Sequence, residues 1–202
     1  ILKIIQDNDA TSPREWDNLG SMVCWHSGYE LGDKKSYSSP RDFLEEMVFD
    51  ISASLEQDDI EKMYNEDLLK FLEEEMVILP LYLLDHSGIS ISTNNFSCKW
   101  DSGQVGWIYV TMEEIIDEYG SPRVDEAREV LLGEVKTYDQ YLQGDVYGYV
   151  LEEKEDCDCC ENTSYKEVDS CWGFYGLDSI KEELEATLED KYKGLVSELK
   201  GA

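Results

Sequence analysis

The sequence predicts an α+β fold, a mainly antiparallel central sheet flanked by acidic amphipathic helices. Three observations carry this reading. Segments of helical period and segments of strand period follow one another in mixed order, with strands paired locally in the middle. Residues 81–110 hold only Asp85, Lys99 and Asp101 as charges, in a 202-residue chain of formal net charge −29. That stretch is also rich in aliphatic and aromatic residues, so it is read as the heart of the core, with the charge on the elements around it. No internal repeat and no convincing linker interrupts the chain. Residues 1–202 are therefore read as one domain, whose weakest join is an acidic, Cys-rich loop at 153–163.

The elements follow in order. Ile1–Gln6 alternates loosely as a first strand, and a turn-rich stretch runs to Gly20. Ser21–His26 reads as a short strand, and residues 28–39 as polar loop. Ser39 is placed to cap a helix that opens on Pro40, where the missing N–H costs nothing. Phe43, Leu44, Met47, Val48 and Ile51 then repeat at helical spacing. A second helical stretch, 58–76, carries Ile60, Met63, Tyr64, Leu68, Phe71 and Leu72 on one face and acids on the other. Val77–His86 reads as a buried strand, with Gly88–Ser92 as its hairpin partner. Gly103 and Gly106 read as a tight turn into an aromatic strand ending at Val110. Thr111 and Glu114 have capping-box spacing. A helix is predicted from Ser121-Pro122 to Leu142, an alternating strand over Asp145–Glu152, and strand plus turn over Tyr165–Tyr175. Asp178 or Ser179 is expected to cap a final helix reaching Leu199.

Charge limits the function classes. The 46 acidic and 17 basic residues are not confined to a tail. Residues 51–80 hold 9 acids against 2 bases, and residues 111–140 hold 9 against 3. Such a surface repels nucleic acid and anionic membranes and attracts basic proteins and cations. No segment approaches the roughly 20 apolar residues of a membrane span. Ile1–Gln6 is too short for a signal h-region, and six cysteines are too sparse for a disulfide scaffold. The expectation is a soluble protein of a reducing cytosol.

Several phrases are distinctive: Pro13-Arg14-Glu15-Trp16-Asp17-Asn18-Leu19-Gly20, Leu79-Pro80-Leu81-Tyr82, Asp85-His86-Ser87-Gly88, Trp100-Asp101-Ser102-Gly103-Gln104-Val105-Gly106, Gly144-Asp145-Val146-Tyr147-Gly148 and Asp169-Ser170-Cys171-Trp172-Gly173-Phe174-Tyr175-Gly176. Together they resemble a family of uncharacterised proteins of bacteriophages and mobile elements. The resemblance spans about residues 13–176 and brings no functional residues with it. It implies a phage-type product acting inside a bacterium, where small, very acidic proteins often inhibit DNA-binding defence enzymes.

The leading functional expectation is thus an inhibitor that occludes a basic, nucleic-acid-binding surface of a restriction or CRISPR-type complex, with DNA mimicry as its means. Its contact residues are expected on helix 58–76 (Asp58, Asp59, Glu61, Glu66, Glu73, Glu74 and Glu75) and helix 122–142 (Asp125, Glu126 and Glu129). Mimicry needs a line of carboxylates, because duplex DNA carries one charge per ~1.7 Å of axis. The plainer reading of the same residues is a solvated, solubilising surface. The expected partner is a basic bacterial protein or complex, with no direct nucleic acid, no membrane, and a homodimer left open.

Other candidates carry less weight. Cys157, Cys159, Cys160 and Cys171 offer four thiols for a structural zinc. Their spacing departs from paired Cys-x-x-Cys, and free reduced cysteines are the default; otherwise no cofactor is expected. A small enzyme would place its site near Asp85, His86, Ser87, Trp100 and Asp101; Cys24 or Cys98 can be drawn with His86 and with Asp85 or Asp101, though a strand-end histidine satisfying a turn is the plainer reading. Adjacent Asp85 and His86 point to opposite faces of a strand and cannot pair with each other. The run Asp7-x-Asp9-x-Thr11, with Glu15 and Asp17, is oxygen-rich but lacks the glycine and distal glutamate of a calcium loop. An Asx turn is the plainer reading. A phage structural or assembly role is a third possibility.

Overall fold

The computed structural model describes residues 1–34, 36–156 and 163–198. The chain divides into two compact units, one from Ile1–Ser12 with Gln140–Ala202 and the other Pro13–Asp139. All strand pairings among the described residues are antiparallel.

The central unit is built on four strands: β2 (Ser21–Cys24), β3 (Met76–Asp85), β4 (Ile89–Ser92) and β5 (Ser102–Thr111), in the order β2-β5-β3-β4. Alternate residues of β3 and β5 are buried on opposite faces, so the sheet is covered on both. One face receives α1 (Pro40–Ile51), α2 (Gln57–Ile60) and α3 (Asn65–Glu75). There Phe43, Val48, Ile60, Leu68 and Leu72 pack with Val23, Ile78 and Trp107. Beneath the other face lies α5 (Val124–Leu142), which follows α4 (Met112–Tyr119) and buries Ala127, Leu131, Val135 and Tyr138. Gly20 fixes this second packing: a Cβ on it would meet Ile108 of β5 and Leu131 of α5 at 3.0 Å each.

Local sequence explains these boundaries. Ser39 accepts a hydrogen bond from the Asp42 amide with Pro40 at the helix start. Thr111 and Glu114 close both halves of the capping box. Pro80 is tolerated inside β3 because β4 pairs only from Tyr82 onward, so a missing donor breaks no second ladder.

Four local expectations need correction. The helical stretch 58–76 is two helices, broken at 61–64, and Met76 already belongs to β3. Gly103 and Gly106 do not form a turn but lie within β5. Gly106 is needed there because β2 approaches so closely that a Cβ would fall 1.8 Å from the Val23 carbonyl oxygen. The final helical stretch is likewise two helices, α6 (Leu177–Thr187) and α7 (Lys193–Glu198). Neither Asp178 nor Ser179 caps α6: its N-cap is Gly176, and Ser179 Oγ instead donates to the carbonyls of Tyr175 and Gly176.

The other unit pairs β1 (Leu2–Gln6), β6 (Val146–Asp156) and β7 (Thr163–Tyr175) in the order β1-β6-β7. Tyr149 and Leu151 of β6 pack with Ile180, Leu184 and Leu188 of the α6 region. Trp172 lies over Gly148, where a Cβ would meet its indole at 2.2 Å. No helix among the described residues is long and apolar enough to cross a membrane.

Candidate functional site

Carboxylates occupy two kinds of position. Some are structural. Arg14, with a side chain only 5% exposed, donates through Nε and Nη2 to the two oxygens of Asp33, through Nη1 to Glu134 at 2.9 Å, and through Nη2 to the Gly20 carbonyl. Glu134 Oε1 also accepts the amides of Leu19 and Gly20, and Asp33 the amide of Met22. Burial alone disfavours the guanidinium charge, but the two carboxylates outweigh it and its pKa is raised. Farther along α5, Asp139 Oδ1 accepts from Ser90 Oγ and the Ile91 amide. Glu134 and Asp139 therefore tie loops and a strand to the helix and do not belong to its outer acidic face.

The ten expected contact carboxylates are all exposed: Asp58, Asp59, Glu61, Glu66, Glu73, Glu74, Glu75, Asp125, Glu126 and Glu129. Among the described residues, only Asp59 (with Lys62) and Glu126 (with Arg123) make ion pairs, at 3.7 and 3.8 Å. Solvent-exposed pairs that long contribute little. The structure does not bring the ten together. Helices α2 and α3 cover one face of the sheet and α5 the other, so the two carboxylate sets are separated by the sheet itself.

A cleft of about 450 Å³ opens at the end of the same sheet where β2 and β3 finish and β5 begins. Trp25, His26, Leu83, Asp85, Trp100 and Asp101 line it, with the start of β5. Backbone hydrogen bonds clamp its rim: the Trp25 amide donates to the Val105 carbonyl at 2.7 Å, and the Asp85 amide to the Asp101 carbonyl at 2.8 Å. Beyond Asp85 the chain turns through Ser87, whose φ of 58° is uncommon for a residue with a side chain. Tyr29 donates to Asp85 Oδ2 at 3.1 Å and stacks on His26 at 5.0 Å between ring centroids. That hydrogen bond is the main cause raising the Tyr29 phenol above its ordinary pKa. His26 Nδ1 accepts the Gly28 amide.

Asp101 Oδ2 is shared. It lies 3.1 Å from His86 Nδ1 and accepts from Cys98 Sγ at 3.4 Å. Ser102 Oγ donates to the Cys98 carbonyl and steadies the loop. The carboxylate thus stands between thiol and imidazole, and no hydrogen bond among the described residues joins Cys98 to His86. Cys24, the other thiol considered, is buried in β2.

Two further candidates lie elsewhere. Cys157, Cys159 and Cys160 lie outside the described residues, while Cys171 is exposed on β7. The Asp9 amide donates to Asp7 Oδ1, which is an Asx turn.

Reading the sequence missed two arrangements. One is the Arg14 network, for which the only signal was a lone arginine in an acidic, turn-rich stretch. The other is the arrival of Trp25, His26 and Tyr29 at the cleft, which depends on β2 pairing with β5 and has no local signal. No protein-family model, curated protein or solved structure matches the chain.

Proposed function

We propose that this protein binds, by electrostatic complementarity, a basic nucleic-acid-binding surface of a bacterial defence protein or complex and keeps nucleic acid out of it. The observation that carries this is the outer face of α2 and α3, whose seven carboxylates are exposed and almost without ion pairs. The phage-type setting rests on the sequence phrases alone.

Spacing supports part of the mimicry idea. Helix α3 has 11 residues, including Glu66, Asp67, Glu73, Glu74 and Glu75. At a rise of about 1.5 Å per residue its carboxylates average roughly one per 3.3 Å, or one net charge per about 4 Å once Lys70 is counted, against a phosphate spacing of about 3.4 Å along one DNA strand. The acids fall in two clusters, at 66–67 and 73–75, so the match is to average density. Because α5 lies across the sheet, the primary contact is assigned to α2 and α3.

The test is kinetic. A partner captured from bacterial lysate at low salt and eluted by a salt gradient should associate quickly at low ionic strength and more slowly as salt rises. An association rate indifferent to salt would count against the proposal.

A second reading is favoured by the His86–Asp101 contact beside the cleft. An imidazole held through Nδ1 by a carboxylate leaves Nε2 to move a proton. The side chains are 71% and 39% exposed, however, and no nucleophile is held against the ring among the described residues. His86→Ala separates the readings: a folded inhibitor that works through α2 and α3 keeps its inhibition, whereas an enzyme that moves a proton through this imidazole loses its activity.

A further inference from the structure

The cleft at the end of the central sheet has a chemistry of its own. Asp85 and Asp101 both line it, with Trp25 and Trp100 as aromatic wall and, among the described residues, no lysine or arginine in the lining. Each carboxylate is held through Oδ2, Asp85 by Tyr29 and Asp101 by His86 and Cys98. Among the described residues, no hydrogen bond engages Oδ1 of either. Two pinned carboxylates each therefore keep one acceptor oxygen open.

Trp100 is 96% exposed although it is one of only five tryptophans. An indole so placed contributes nothing to the core, while its face attracts a cation. His26 Nδ1 is occupied by the Gly28 amide. The volume of about 450 Å³ exceeds the needs of a metal ion and falls in the range of clefts that hold organic groups.

We propose that this cleft receives an arginine side chain presented on the surface of a basic protein partner. A planar guanidinium can stack on an indole and donate along its edge to carboxylates, which a compact ammonium does less well. The inference rests on the reading of the chain as a binder of basic surfaces. It adds a defined anchor, on the sheet end, to the diffuse attraction of α2 and α3.

The experiment uses the full chain, isotope-labelled for NMR, and two peptides: acetyl-Gly-Arg-Gly-amide and its citrulline counterpart, which has the same shape without the charge. The arginine peptide should shift the Trp25 and Trp100 indole N–H signals and the amides of 101–105, while the citrulline peptide leaves them in place. Asp85→Asn with Asp101→Asn should weaken arginine-peptide binding about tenfold or more, as expected for loss of charge-assisted hydrogen bonds. Trp100→Ala should weaken it as well. Equal shifts from both peptides, or unchanged binding by the Asn variant with its fold intact by NMR, would overturn the anchor.

A parallel titration with nona-arginine separates the two ideas. If Glu73→Lys/Glu74→Lys/Glu75→Lys loses nona-arginine binding while the Asn variant keeps it, the cleft is refuted and the acidic-face reading stands. If the Asn variant alone loses it, the cleft stands and the acidic-face reading fails.

Discussion

The Arg14 network and the outer face of α3 use the same side chains to opposite ends. Around Arg14, Asp33 and Glu134 are partly buried, and their oxygens are occupied by a guanidinium and three backbone amides. On α3, Glu66, Asp67, Glu73, Glu74 and Glu75 are exposed, with no ion pair among the described residues. The difference is local geometry: Glu134 faces the loop at Leu19–Gly20, whereas Glu66, Asp67, Glu73 and Glu74 lie opposite Leu68 and Leu72, which the core takes, and Glu75 is exposed at the end of the helix. Acid content alone therefore marks neither structure nor function. What distinguishes the two regions is whether a carboxylate already has a partner.

The sharpest way to break this comparison is to empty the network. Arg14→Ala leaves two carboxylates facing each other without their cation and should destabilise the protein by about 3 kcal/mol or more. Chemical denaturation measures it, and a loss below about 1 kcal/mol would place the network among ordinary surface pairs. Asp139→Ala, which strands the Ile91 amide, should cost about 1–3 kcal/mol by the same assay. On the free face the pattern should invert. Glu73→Lys/Glu74→Lys/Glu75→Lys should change stability by no more than about 0.5 kcal/mol, and relief of self-repulsion can make the change favourable. The same variant should slow association with a basic partner about tenfold or more at low salt; a normal rate removes α3 from the contact.

A last case concerns a carboxylate paired with a neutral donor. Tyr149 donates to Asp169 at 2.9 Å, and its phenol is pushed up to about 12, first by burial and then by that hydrogen bond. The folded state then holds the phenolic proton more tightly than the unfolded chain does. Its contribution is complete below about pH 10 and is lost as pH rises toward 12. Tyr149→Phe should flatten that alkaline fall in stability. An unchanged slope would show that the phenol does not report folding.

Much of the fold was legible because its signals are local. The Phe43–Val48 period, the Ser39-Pro40 start and the Thr111–Glu114 box depend on residues within a turn or two of one another. The near-neutral stretch 81–110 was half legible. Leu81, Leu83, Ile91 and Ile108 are core, yet Trp100 is fully exposed, because low charge marks a segment that avoids neither core nor cleft. The break at 61–64 was missed because the helical pattern of apolar residues continues through it. The candidate site was legible only in part. Asp85, His86 and Asp101 were named together, and strand alternation already set Asp85 apart from His86; that Asp101 comes within reach of His86 follows from the register of β3 against β5.

By itself, the sequence determined the excess of negative charge, the class of fold, and the helices whose outer faces carry the acids. These follow from composition and short-range periodicity. Only the tertiary structure decided which carboxylates remain available. Burial and pairing are set by contacts between residues far apart in the chain: Arg14 with Glu134, Ser90 with Asp139, and α3 from α5 by the thickness of a sheet.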